Sequence, residues 1–153
     1  TRAQGFAMGA LCGAGFALVE TLSVSAQTDG WTGLLFARIG TSAMHITTSA
    51  LIGGGIISAF REKRYLRLFA TYLLAVLLHG IWNFLALANS FSAILNTYEE
   101  SDLYQTITTS SAIGLVILTI ALVIILVLSN RKLPKSINEG TPSSIGDEPP
   151  TAA

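Results

Sequence analysis

Charge is scarce in this chain: only 12% of its 153 residues are Asp, Glu, Lys or Arg, against about a quarter in an ordinary soluble domain. The formal balance is +0, which excludes a nucleic-acid binder held by net charge. There is one cysteine, Cys12, so no disulfide can form within the chain and a disulfide scaffold is excluded. Histidine is almost absent, at two residues. What is present is apolar: hydrophobic residues make up 51% and the mean hydropathy is +0.60. That excludes a chain disordered throughout and leaves a membrane protein or an unusually apolar soluble core.

The distribution of the apolar residues decides between these. Four runs of about 20 residues or more are long enough to cross a bilayer as helices. They cover residues 5–26, 34–60, 68–88 and 107–129. The stretch from Val116 to Leu128 has none of the alternation of a membrane β-barrel strand. The fold class expected is therefore all-α, a polytopic transmembrane bundle of four spans forming one domain over 1–129. Residues 130–153 are rich in Pro, Ser, Gly and acid and are expected to be a disordered cytoplasmic tail.

Basic residues predict the orientation. Eight of the nine, Arg2, Arg61, Lys63, Arg64, Arg67, Arg131, Lys132 and Lys135, fall on one side of a four-span topology. The other two connections carry Asp29, Glu99, Glu100 and Asp102 and no cation. The positive-inside rule then makes both ends cytoplasmic and places the 27–33 and 89–106 connections outside. The ninth cation, Arg38, lies inside the second span, where it is expected to snorkel to the outer interface or pair with Glu20. Trp31 and Trp82 read as interfacial or packing aromatics.

Ionisable groups in hydrocarbon are costly and face the bundle interior or a water-filled cavity. Both histidines, His45 and His79, fall inside predicted spans, as does one carboxylate, Glu20. With a rise of about 1.5 Å per residue, all three lie in the outer half of the bilayer, within roughly one turn of a common depth. Gly9, Gly13 and Glu20 share a helical face, and Gly5, Gly9 and Gly13 repeat the GxxxG spacing that lets helices approach closely. Thr41, Thr48 and Ser49 make the His45 face polar, and Gly53, Gly54 and Gly55 extend it as a close-contact patch. His79 and Asn83 are four apart and are expected to share a face.

Such a set activates water in either of two ways. Two imidazoles and a carboxylate suit zinc with an open water position. Alternatively, Glu20 acts as general base while His and Asn stabilise an oxyanion. HExxH, GxSxG and a phosphate-binding loop are all missing from the sequence. A non-catalytic reading stands beside these: a transport or assembly subunit whose Glu and His relay protons or hold helices together.

Three segments carry a resemblance. GAGFALVE at 13–20, Arg38 to His45 followed by Gly53, and HGIWN at 79–83 are similar, in order and placement, to consecutive motifs of the PrsW family, intramembrane proteases in the wider group of the CAAX prenyl proteases. The resemblance spans about residues 5–88. It implies an endopeptidase in a prokaryotic cell membrane that cuts membrane-anchored proteins, such as anti-sigma factors, near the outer face. Glu20, His45 and His79 would be the catalytic or zinc-binding set, with Asn83 as supporting polar group. The family is treated both as metalloprotease and as glutamic protease. Partners implied are the substrate protein and the lipid bilayer, with no nucleic acid. Thr21 stands where the family usually has Asn. The family's first motif, a Glu-Glu pair followed by Lys, is not here, because Glu99-Glu100 lies in an outer connection without that lysine. The expectation is a preceding segment that carries it, without which part of the family's active site is lacking.

Overall fold

The computed structural model describes residues 1–25 and 31–133. The expected tail from 134 onward lies outside the described residues, as does Asp29. Four helices follow in order: α1 Arg2–Ser25, α2 Trp31–Glu62, α3 Tyr65–Tyr98 and α4 Asp102–Arg131. The described residues contain no strand, and all four helices are long and apolar enough to cross a membrane. The all-α bundle expected from the apolar runs is what forms.

The helices outrun the apolar segments. α3 continues through Tyr98 and α4 already begins at Asp102, so only residues 99–101 separate them. Apolar content marks where hydrocarbon ends, whereas the backbone ladder goes on until something breaks it. Asn89 reinforces this extension, its amide donating to the Thr108 carbonyl of α4 at 2.8 Å. At 34 residues, α3 is about 51 Å long, well beyond a bilayer core of about 30 Å. At the other end of the bundle, Lys63 and Arg64 reverse the chain between α2 and α3. Lys63 takes φ 55°, and the Arg64 N–H is bonded to the Ser58 carbonyl at 3.0 Å.

α2 is the central helix, packed against each of the other three, while α1 packs chiefly on α2. Association inside lipid rests on close backbone approach by small residues rather than on a hydrophobic driving force. Accordingly Ala50, Ala59, Thr47 and Ser58 of α2 are fully buried, while Leu, Ile and Phe side chains crowd the outer surface of the bundle. Trp82 of α3 is a large exception, buried together with Met44 and Leu122. It packs against Met44 and Leu122, flanked by Leu78, Leu115 and Leu118, and lies over Gly40. It is a packing aromatic. Thr47 ties α2 to α4 by donating to the Leu122 carbonyl at 3.3 Å.

The α1–α2 seam positions the site. The helices are antiparallel, and Gly5, Gly9 and Gly13 lie against the backbones of Gly53, Ser49 and His45 in turn. Each step of four residues up α1 is a step of four back along α2. A Cβ on any of these three glycines would collide with a carbonyl oxygen of α2. The seam is thus a run of backbone-to-backbone contacts of the kind that Cα–H···O=C interactions accompany. The same register, continued outward, brings Glu20 opposite Arg38.

Candidate active site

Glu20 sits one and a half turns inside the end of α1, on the face set by Gly9 and Gly13. Its side chain is 37% exposed. Oε2 receives two groups from α2: the Nη2 of Arg38, and the Nε2 of His45 at 3.1 Å. Arg38 and His45 are seven residues apart, two helical turns, so α2 presents both on one face. His45 is buried and in turn meets His79 of α3, with ring centroids 5.5 Å apart, edge to face. Phe16 of α1 also packs on the His45 ring, with centroids 4.7 Å apart. Glu20, His45 and His79, placed on three helices, form one chain of contacts with His45 in the middle.

Neighbouring hydroxyls are mostly committed. Thr48 donates to the Met44 carbonyl at 2.8 Å. Thr21 donates to the Ala17 carbonyl at 2.6 Å and accepts from the Nε of Arg38 at 3.1 Å. A groove of about 560 Å³ opens beside the two histidines, floored by Thr48, Ser49 and Ile52 of α2 and walled by Phe16 of α1 and by Ala75, Val76 and Gly80 of α3. Its floor is partly polar and its walls are apolar.

Asn83 is placed differently from the rest. It is exposed, and no described residue hydrogen-bonds to its side chain. Four residues overshoot a helical turn by about 40°. Trp82, one position earlier, takes the buried side. His79 and Asn83, one turn apart on α3, therefore differ in burial, with His79 half-buried against His45 and Asn83 exposed.

Arg38 is the site residue that sequence reasoning left outside the candidate set. Its signal was legible: it stands two turns from His45 and faces the level of the intramembrane carboxylate. Thr21 joins it for the same reason, being adjacent to Glu20.

The donor types of Glu20, His45 and His79 are those that zinc takes. As arranged here they do not make a metal site. Among the described residues no three His, Cys, Asp or Glu side chains are grouped closely enough to hold an ion. The carboxylate oxygen that faces His45 already carries a guanidinium.

The chain matches a protein-family model described as "PrsW family intramembrane metalloprotease" over residues 1–128. No curated protein and no solved structure matches it. The match takes in α1, α2, α3 and α4 up to Leu128, with Glu20, both histidines and Arg38. On that footing the chain is a multi-pass integral membrane protein belonging to the PrsW family of intramembrane metalloproteases.

Proposed function

We propose that this chain is the catalytic part of an endopeptidase that cuts membrane-anchored proteins near the outer membrane face, anti-sigma factors being one such class. The observation that carries the reading is the Glu20–His45–His79 contact chain bordering an open groove. A purely structural ion pair needs Arg38 and Glu20 alone. It does not need two histidines in line, nor a space beside them.

In this reading a substrate segment lies in the groove with its scissile carbonyl at the His45–His79 pair. The apolar walls take its side chains, and the polar floor meets backbone groups that have left a helix. Glu20, oriented by its bond to His45, takes a proton from water as the water oxygen attacks the carbonyl carbon. His79 donates to the oxygen on which negative charge develops, and Asn83, exposed one turn further out on α3, supports it from the substrate side. The carboxyl then returns the proton to the leaving nitrogen as the C–N bond breaks. The placement of both termini in the cytoplasm and of the site in the outer half follows from the basic bias.

The test is cleavage of a membrane-anchored reporter by the purified full chain in proteoliposomes. Glu20→Gln, His45→Ala and His79→Ala should each abolish cleavage while the protein still inserts and elutes as the wild type does. Asn83→Ala should lower the rate by about 10²-fold, the loss expected for one oxyanion donor. Wild-type turnover in the His79 variant would remove α3 from the active site. Loss of folding in every variant, with no cleavage by the wild type, would favour the helix-holding role.

A further inference from the structure

We propose that Arg38 is a positioning residue of this site, clamping Glu20 so that one carboxylate oxygen meets His45 and the other stays open to the reacting water. The proposal rests on the reading of Glu20 as the hydrolytic carboxylate. The guanidinium reaches α1 at two adjacent residues: Nη2 pairs with Glu20 Oε2, and Nε donates to Thr21 Oγ1 at 3.1 Å. Thr21 is itself locked, because its hydroxyl proton goes to the Ala17 carbonyl at 2.6 Å and leaves only lone pairs for Arg38. The fork is therefore held at both prongs, which a lysine's single point of charge cannot reproduce.

Oε2 is shared by Arg38 and His45, whereas no described residue hydrogen-bonds to Oε1. One oxygen is used for orientation and the other is left for chemistry. Arg38 is only 13% exposed at its side chain, so the guanidinium lies inside the bundle while Glu20, at 37%, stays partly open. A cation buried at membrane depth is costly and is tolerated where it is paired. Neither Arg38 nor Glu20 lines the groove, which the pair meets through His45, so the effect of Arg38 on substrate runs through Glu20 and His45.

The experiment uses the full chain and two readouts. In cleavage of the membrane-anchored reporter, Arg38→Ala should lower kcat by about 10²-fold, the scale of a misplaced catalytic group, with KM unchanged. Arg38→Lys should restore only part of this. Thr21→Val, which keeps the shape but loses the hydroxyl, should lower kcat further than Thr21→Ser, which keeps the hydroxyl. A role in packing alone gives the reverse order at Thr21, and that order would overturn the proposal. The second readout is independent of activity: thermal unfolding of Arg38→Ala, Glu20→Gln and the double variant in detergent. The two changes should be non-additive, with the loss from Arg38→Ala relieved when Glu20 is already neutral. Additive losses would overturn the clamp whether or not the protein cleaves. Full kcat in Arg38→Ala beside an inactive Glu20→Gln would sink the clamp and leave the protease reading standing. Cleavage unaffected by Glu20→Gln would sink both.

Discussion

Replacing Gly13 by alanine tests the link between helix packing and chemistry most directly. The added Cβ would stand 2.8 Å from both the His45 carbonyl carbon and the Ile46 Cα, and closer still to the His45 carbonyl oxygen. Ordinary contact begins at 3.4 Å, so α1 and α2 must separate by at least 0.6 Å at this level. All the opposing atoms are backbone, so no side chain can swing aside. If that opening is carried to the Glu20–His45 bond, whose histidine lies opposite Gly13 and whose carboxylate stands two turns further along α1, 3.1 Å becomes 3.7 Å. That lies outside the range of about 2.7–3.2 Å in which such a bond is made. A displacement approaching 1 Å costs about 10²-fold in rate when it moves a catalytic group. Gly13→Ala should therefore lower reporter cleavage by about two orders of magnitude while leaving insertion intact. Gly15→Ala is the control, since a Cβ there meets nothing within 4 Å. The assay is cleavage in proteoliposomes, paired with spin-label distances between α1 and α2. A wild-type rate for Gly13→Ala, or an equal loss for Gly15→Ala, would refute the coupling of the glycine seam to the site.

Three further outcomes follow from the same structure. Accessible-cysteine mapping should place positions near Lys63 and Lys135 in the cytoplasm and positions near Asp29 and Glu100 outside, and Lys63 found outside would overturn the outer-half placement of the site. Purified full chain should carry no stoichiometric zinc and should keep its activity after chelation, because Glu20 Oε2 already holds Arg38; one tightly bound zinc per chain, with activity lost on removal and restored on return, would reverse this. Thr47→Val should cost about 0.6 kcal/mol in a thermal unfolding assay, the average for an interhelical hydrogen bond in a membrane, since only the bond to the Leu122 carbonyl is lost; a much larger loss would mean that α4 is held to α2 chiefly at this point.

The bundle was legible in the sequence because apolar length and helical periodicity are local properties. So were the common depth of Glu20, His45 and His79 and the packing role of Gly5, Gly9 and Gly13, since a fixed rise per residue converts position into height. Asn83 shows where that arithmetic stops. Spacing of four places it near the His79 face, but whether a residue 40° off that line is buried depends on which neighbour the helix leans against, and Trp82 decides this.

What the sequence by itself determined about this protein is therefore its class, its four helices and the position of each polar group along its helix. Only the tertiary structure decided which groups meet. The register of α1 on α2 is set by glycine backbones touching carbonyls, and it brings Arg38 as well as His45 to the same oxygen of Glu20. Depth is a coordinate along one helix. A shared oxygen atom depends on the rotation and separation of two helices at once, and those are fixed by packing between residues far apart in the chain.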